Sequence, residues 1–454
     1  MAMAMAMDVS YWRKKPVFVF LLVSALVVVL YSGRTTIEAA AAASFKTPKT
    51  SKHTTTQPPT GTGFDKDDEF DSLTDRQCAD VFPELYHEVD RAVDYWKKKG
   101  HTISANDVEV SWRKWDGKPM GDGSGGAMRI LIHDNELRIL ESEGMIGHWG
   151  YRGRGMGFLY LLQRSLYSAQ AAGEKLPTIE AAIIAEDIVN PPNGTKGTHS
   201  FWTWTNHIGD ETHDRHWMIP NYDLWYGYPM GSFREARYRA MERDCAFKDK
   251  LSKAVWRGSG FLNPGIREKL FEVSKDKPWS DIWFADYGGM DSDHFLTVED
   301  MCKYMFAIHT EGVSYSGRLS YIQNCDNLPI IHDLEWNTYT THLLQDSGPG
   351  QNYVRVKRDW TDLEENIKHY IAHPEEAEKI IDNSLKTFRH RYLTRPALSC
   401  YVRNLIQGYS TVSFKPEIYR PKKAGSTARY RRGISFERFL DSPMDGKFEE
   451  DTWF

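Results

Sequence analysis

The sequence predicts an α/β fold, and three stretches carry that prediction. Residues 302–336 contain two short apolar runs, 304–308 and 328–331, separated by a Gly/Ser turn and a helical segment. Residues 254–270 repeat the order of strand, polar loop and helix, and residues 178–188 form an apolar run that ends in two carboxylates. Short apolar runs that alternate with helices are typical of parallel sheets.

The amino-terminal segment predicts a membrane anchor. Residues 1–15 form a short cytoplasmic tail with three basic residues at its end, and residues 16–32 are almost entirely apolar. A basic flank stays in the cytoplasm and sends the rest of the chain across the membrane. The apolar run is short for a spanning helix, so a signal peptide cleaved in the Ala-rich stretch 39–43 is the alternative to the uncleaved anchor that we favour. Residues 33–72 are polar and predict a lumenal stem.

The folded part begins near residue 73, where Thr74 or Asp75 can cap a helix that continues to Val93. With 454 residues, 41% of them apolar, the chain can form two globular domains. A net charge of −5 gives no basic surface for nucleic acid, so a nucleic-acid partner is not expected. Residues 416–454 are first basic and then acidic, which predicts a surface-lying tail.

Glu186 and Asp187 end the apolar run of residues 178–188. A carboxylate at the carboxyl end of a strand faces a cleft, where a partly desolvated aspartate can act as a general base. The alternative is a helix cap or a surface acid.

Two arginine-bearing loops predict a binding site for a diphosphate. In the first loop, Arg257 and Ser259 follow a strand, and Asn263 with Pro264 opens a helix that carries Arg267. Such a loop presents backbone N–H groups and guanidinium groups to an anion.

The second loop contains Ser314, Ser316 and Arg318 at the carboxyl end of another strand, where a phosphate can again be held. The alternative for either loop is an ordinary connection with a solvated arginine. Two such loops in one half of the chain favour the diphosphate.

Residues 198–231 are rich in Trp, Tyr and His, a composition that suits either glycan binding or core packing. Their histidines at 207, 213 and 216 have loose metal-like spacing, and we expect a structural role because nothing completes a zinc site. The segment 291–293, Asp-Ser-Asp, has the form of a metal-binding motif but no strand leads into it, so a turn is expected.

The secretory setting is also indicated by a glycosylation sequon at residues 193–195. In a lumenal protein an even subset of five cysteines is expected to pair, but spacing alone does not give the connectivity. The cysteines are Cys78, Cys245, Cys302, Cys325 and Cys400.

Taken in order, these motifs resemble glycosyltransferase family 90, which includes fungal capsule-associated xylosyltransferases and animal protein O-glucosyltransferases of the Rumi type. The resemblance runs from about Cys78 to Tyr409. It is carried by Glu186–Asp187 at a strand end and by the segments 217–220, 255–259, 302–304, 312–318 and 399–401.

The resemblance implies a GT-B-like architecture, in which two Rossmann-like domains face a cleft: an acceptor-side domain at residues 73–230 and a UDP-sugar donor-binding domain at residues 231–415. It implies inverting transfer of xylose or glucose from a UDP-sugar to a hydroxyl of a glycan or protein, with no metal and no further cofactor. The site would lie in the lumen of the Golgi or endoplasmic reticulum, behind a single-pass type II anchor.

The matching position for the catalytic base is Asp187. The positions that match the donor-binding residues are Arg257, Gly258, Ser259, Gly312, Ser316 and Arg318. The resemblance also implies the pairs Cys78–Cys400 and Cys302–Cys325, with Cys245 free.

The chain departs from the animal enzymes at Glu186, where they carry an arginine, and in the Leu-Ser-Tyr sequence after Arg318. It also lacks their retrieval-type ending, and its longer resemblance is to the fungal branch. The alternative function is a catalytically inactive glycan-binding protein on the same fold. A hydrolase is disfavoured because Asp187 has no partner acid except the adjacent Glu186, and adjacent strand residues point to opposite faces.

Overall fold

Two β-sheets organise the part of the chain that the computed structural model describes, which comprises residues 71–114, 125–189, 197–225, 232–285, 294–422 and 424–448. The α-helices are α1 (Asp75–Val81), α2 (His87–Lys99), α3 (Trp149–Ala171), α4 (Phe233–Met241), α5 (Pro264–Ser274), α6 (Val298–Met301), α7 (Arg318–Ile322), α8 (Leu363–Ala372), α9 (Pro374–Thr387), α10 (Arg395–Ser410) and α11 (Phe436–Asp441).

The strands that precede residue 225 are β1 (Ala127–His133), β2 (Glu136–Glu143), β3 (Ile179–Ile184), β4 (Phe201–Thr203), β5 (Asn206–His207) and β6 (Trp217–Met218). The later strands are β7 (Leu251–Gly258), β8 (Ser280–Phe284), β9 (Tyr304–His309), β10 (Leu328–His332), β11 (Trp336–Asn337), β12 (Val354–Val356), β13 (Tyr419–Pro421), β14 (Arg429–Arg431), β15 (Ile434–Ser435) and β16 (Gly446–Lys447). The α/β class predicted from the sequence is therefore confirmed.

The first sheet is mixed. Its strand order is β15-β2-β1-β3-β4-β6, and β16 also pairs with β2. Strand β1 is antiparallel to β2 and β3, whereas β3, β4 and β6 run parallel. All six residues of β3 are buried, and helices α3 and α10 pack in the same hydrophobic core. This burial explains the continuous apolar run that precedes Glu186.

The second sheet is parallel throughout, with the strand order β12-β10-β9-β7-β8. Helix α5 follows β7 and helix α7 follows β9, as the two predicted strand, loop and helix units require. Because β7 and β9 are neighbours, their carboxyl ends and the loops after them meet at one edge of the sheet.

Two expectations for local structure require correction. The predicted helix from residue 74 to Val93 is two helices, because Pro83 lacks an N–H donor and keeps the residue before it, Phe82, out of the helical conformation (φ −124°, ψ 57°). Thr74 does cap the first of them, through a capping box with Gln77.

The expected surface-lying tail of residues 416–454 is also wrong for the part that the structure describes. Strands β15 and β16 extend the first sheet by pairing with β2. Phe436 and Phe439 of α11 are buried in the core of that sheet. The apolar residues of this short segment are spaced for a helix face, but the surrounding charges hide that pattern in the composition.

Both disulfides implied by the family resemblance are present. Cys78 of α1 is bonded to Cys400 of α10, and Cys302 is bonded to Cys325. Cys245 is free and exposed. The first bond fixes α1 to the core of the first sheet, and the second closes the segment that contains β9 and α7.

Several predictions concern residues outside the described ranges: the cytoplasmic tail and anchor at 1–32, most of the stem, the sequon at 193–195 and the turn at 291–293. Among the helices that the structure describes, none combines the length and the apolar character needed to span a bilayer.

Candidate active site

The two arginine-bearing loops are joined by hydrogen bonds. Asn263 Nδ2 donates to the carbonyl of Gly312 at 2.9 Å. The Arg267 guanidinium donates to the carbonyls of Glu311, at 3.0 Å, and Ser259, at 2.8 Å. Asn263 thus connects the loops instead of capping α5 with its side chain, and the β7–α5 and β9–α7 loops form one surface.

Two guanidinium groups lie over the ring of Trp256 on this surface. The Arg267 group is 5.8 Å and the Arg318 group 5.7 Å from the ring centroid. Trp256 is fully buried and donates to Thr310 Oγ1 at 3.0 Å, which fixes the ring. Stacking on an aromatic face holds an arginine in place while its edge can still bind an anion.

Gly258 allows this close packing. A Cβ atom at residue 258 would lie 2.7 Å from the Trp256 ring and 3.3 Å from Arg318 Nη1. Any larger residue would displace the ring or the guanidinium. The predicted site residue Gly258, which is the last residue of β7, therefore packs directly against these two groups.

Hydroxyl groups complete the surface. Ser259 Oγ and Ser314 Oγ are buried, and neither has a hydrogen-bond partner within the described part of the chain. Ser316 is half-buried in the same loop as the buried Gly312. Buried hydroxyls without partners are unfavourable, and a ligand with acceptor oxygens would satisfy them.

Arg257 is on the opposite face of β7 from Trp256, as the alternation of strand side chains requires. Its guanidinium forms an ion pair with Asp281 at 2.8 Å and donates to the carbonyls of His294, Trp256 and Asp281. The structure thus does not bring Arg257 together with Arg318. Donor binding by Arg257 would require this buried ion pair to open, and it remains a prediction without a supporting contact.

Asp187 follows β3 and is held by Arg154 of α3. Arg154 Nη1 donates to Asp187 Oδ1 at 2.7 Å and to the carbonyl of Ala185 at 3.2 Å. The Arg154 guanidinium also lies over the ring of Tyr222, 5.1 Å from its centroid. About a third of the Asp187 side chain (35%) is exposed, so a substrate hydroxyl can approach this carboxylate.

Glu186 has different surroundings. Arg113 forms an ion pair with it at 2.8 Å, and Tyr151 donates to it at 3.3 Å. Burial raises the pKa of Glu186, although Arg113 opposes the shift. The two adjacent carboxylates therefore have separate cationic partners, and Asp187 is the more exposed of them.

Asp223 is a further acidic residue of the site. Its carboxyl group lies against the backbone of Gly317, since a Cβ atom at residue 317 would be 1.9 Å from Asp223 Oδ2. Tyr321 of α7 donates to the Asp223 carbonyl at 3.1 Å. Burial raises the pKa of Asp223 to about 7, although Arg154 and the Tyr315 hydroxyl oppose the shift.

Arg154, Asp223 and Tyr315 are residues of the site that were not predicted from the sequence. Arg154 lies in a Gly-rich stretch, and Asp223 follows Tyr222 in an aromatic-rich one, so neither is part of a recognisable motif. The signal that could have been used is that an unshielded carboxylate in a cleft needs a cation nearby.

The aromatic-rich stretch serves mainly as core, since Trp202, Trp204 and Trp217 are fully buried. Its histidines also have packing roles: His213 Nδ1 accepts from the His207 backbone N–H at 3.0 Å, and the rings of His213 and His216 are stacked. Across the described residues, no group of three His, Cys, Asp or Glu side chains is arranged to hold a metal ion.

The site therefore has two complementary parts. The loops of the second sheet provide guanidinium and hydroxyl groups for an anion. The end of β3 provides an exposed carboxylate that can accept a proton. The contact of Asp223 with Gly317 links the two parts.

Comparison with known proteins identifies a family. The model of glycosyl transferase family 90 matches residues 201–428, which is half of the chain. This stretch contains both loops and Asp223, and it begins after Asp187.

Individual relatives are similar at modest identity. An O-glucosyltransferase rumi homolog of Aedes aegypti is 26% identical over 42% of this chain and 52% of its own length. Protein O-glucosyltransferase 3 of Homo sapiens is 31% identical over 50% of this chain and 45% of its own length. O-glucosyltransferase LpsA of Dichelobacter nodosus is 28% identical over 30% of this chain and 43% of its own length. The chain thus spans about half the length of these relatives, or less.

Proposed function

Because the chain belongs to glycosyltransferase family 90, we propose that it transfers a sugar from a UDP-sugar to a hydroxyl group of a glycan or protein. The donor sugar in this proposal is xylose or glucose. The single observation that carries the proposal is that the candidate base is linked to the candidate donor loops: Arg154 binds Asp187, and Asp223 lies against Gly317, the residue before Arg318.

In the proposed reaction, Asp187 accepts the proton of the acceptor hydroxyl as that oxygen attacks C1 of the donor sugar. The bond from C1 to the phosphate oxygen breaks, and UDP leaves. One in-line displacement of this kind inverts the configuration at C1. Asp187 is suited to this role because it is exposed, lies at the end of a buried strand and is oriented by Arg154.

Arg267 and Arg318 stabilise the diphosphate as it departs. Both are positioned by stacking on Trp256, and the unpartnered hydroxyls of Ser259 and Ser314 belong to the same two loops. Preorganised positive charge at a leaving group lowers the barrier without reorganisation during the reaction. This charge supports a reaction that does not depend on a metal ion.

The arrangement also supports a GT-B-like architecture, with the β3 end on the acceptor side and the parallel second sheet on the donor side. The proposed location is the lumen of the Golgi or endoplasmic reticulum, with residues 16–32 as a type II anchor.

The test is release of UDP by the purified protein from UDP-xylose, UDP-glucose, UDP-galactose and UDP-glucuronate, with and without EDTA. Glycan extracts and folded protein domains are supplied as acceptors. We expect turnover of one donor that EDTA does not reduce, and a product whose anomeric configuration, measured by NMR, is inverted. Asp187→Asn should lower kcat by roughly 10²- to 10⁴-fold while UDP still binds.

Glu186→Gln is the matched control, because it changes the adjacent carboxylate. Equal losses in Asp187→Asn and Glu186→Gln would contradict the assignment of the base. Loss of turnover with EDTA would contradict metal independence. UDP binding without turnover of any donor would support the glycan-binding alternative.

A further inference from the structure

Asp223 is not used in the reaction proposed above, yet it contacts the donor loop and interacts electrostatically with Arg154, which holds the candidate base. Its carboxyl group lies against Gly317 in the loop that carries Arg318. Its neighbour in the chain, Tyr222, forms the surface on which Arg154 lies. Asp223 is therefore placed to affect both the candidate base and the candidate donor loop.

Asp223 and Asp187 share one nearby cation, Arg154. Arg154 donates to Asp187, whereas Asp223 Oδ2 has no hydrogen-bond partner within the described residues. The charged or titratable groups that interact with Asp223 are Arg154 of α3, Asp187 after β3, the adjacent Tyr222, Tyr315 of the β9–α7 loop and Tyr321 of α7. One cation thus serves two carboxyl groups.

We propose that Asp223 is a positioning residue that favours donor binding as the neutral acid and weakens donor binding when it is ionised. As the neutral acid, it leaves Arg154 to Asp187 and places no negative charge beside Gly317. As a carboxylate, it competes with Asp187 for Arg154 and repels the diphosphate that Arg318 would hold. This inference rests on the proposed function, since it concerns the donor of that reaction.

The direction of the effect follows from electrostatics. A buried negative charge next to an anion-binding loop opposes the anion, and the repulsion is stronger than it would be in water. Burial raises the pKa of Asp223 to about 7, so its ionisation falls in a range that can be examined without acid denaturation. Donor affinity should therefore decrease as the pH rises through neutrality.

The experiment measures the Kd of UDP-xylose and UDP-glucose by calorimetry at pH 6 and pH 8.5. The diphosphates of both nucleotides are diesters and keep their charge over this range. For the wild-type protein we expect Kd to increase roughly tenfold at the higher pH. For Asp223→Asn, which is neutral at both pH values, we expect little change. Asp223→Ser is a smaller neutral variant that should behave in the same way if the Asn variant folds poorly.

Glu186→Gln is again the matched control, because Glu186 is a half-buried carboxyl that does not contact Gly317. It should retain the pH dependence of the wild-type protein. The same pH dependence in wild type and Asp223→Asn would overturn the inference. Absence of nucleotide binding in every variant at both pH values would instead contradict the proposed function.

Discussion

The β7–α5 and β9–α7 loops lie side by side at one edge of the second sheet, yet their arginines have different surroundings. The guanidinium of Arg257 forms a buried ion pair with Asp281, on the face of β7 away from Trp256. Arg318 lies over Trp256 next to Arg267. The two arginines differ in the element that carries them: Arg257 lies within β7 and its side chain is on the face away from Trp256, whereas Arg318 is the first residue of α7. An arginine within a parallel strand can thus stabilise the sheet, while one that begins the following helix can lie over the loops.

Replacing Arg318 should have the largest effect on activity. Arg318→Ala removes one of two guanidinium groups from the proposed diphosphate site, and we expect kcat/KM to fall by roughly 10²- to 10³-fold. The fall is measured as UDP release with the preferred donor. Thermal unfolding of the same variant checks that the fold is retained. Activity within a few-fold of wild type would break the distinction between the two arginines.

Replacing Arg257 should instead affect stability. Arg257→Ala leaves Asp281 without its cation and removes three hydrogen bonds to carbonyl groups, so we expect a loss of about 3 kcal/mol in the free energy of unfolding. Denaturant titration measures this loss. The donor Kd of the folded protein should change far less than in Arg318→Ala. A loss of donor affinity without a loss of stability would support the role that the family resemblance assigns to Arg257.

The sequence predicted the second sheet better than the first. Strands β7, β9 and β10 are short apolar runs between polar loops, and the order of strand, loop and helix is local in the chain. The prediction that the two loops meet required only that β7 and β9 be neighbours. The first sheet depends on distant pairing, since β15 and β16 join β2 after some 290 intervening residues. No local pattern encodes such a pairing.

The residues of the candidate site, like the two sheets, were predictable only in part. Asp187 and Arg318 could be found because each follows an apolar strand. Arg154 and Asp223 could not, because their importance depends on which side chains face them after folding. The separation of Arg257 from Arg318 could not be predicted either, because the ion-pair partner of Arg257, Asp281, lies on the neighbouring strand β8.

Enlarging Gly317 should have an intermediate effect. The φ of −58° at this residue suits any amino acid, so the effect of Gly317→Ala comes from its contact with Asp223. We expect the KM for the donor to increase by about tenfold, because either Asp223 or the loop must move by an ångström or more. In an Asp223→Ala background, Gly317→Ala should increase the KM for the donor much less. Gly265→Ala, in open space on α5, is the control that should leave KM unchanged.

Neutralising Asp223 should have the smallest effect of these changes, and the effect is on thermal stability. Since burial raises the pKa of Asp223 to about 7 in the folded state, folding favours its protonated form. Its contribution to stability is complete below its unfolded pKa, near 4, and is lost as the pH rises towards 7. Asp223→Asn should therefore raise Tm by a few degrees relative to wild type at pH 8, and less at pH 5. An equal difference at both pH values would contradict the assignment.

The most direct measurement is a crystal structure of the protein with bound UDP. We predict that the diphosphate contacts the guanidinium groups of Arg267 and Arg318 and the hydroxyls of Ser259 and Ser314, while Arg257 remains paired with Asp281. Asp187 should be exposed to the space next to the β-phosphate. A diphosphate bound by Arg257 after its ion pair has opened, or bound away from both loops, would contradict the account.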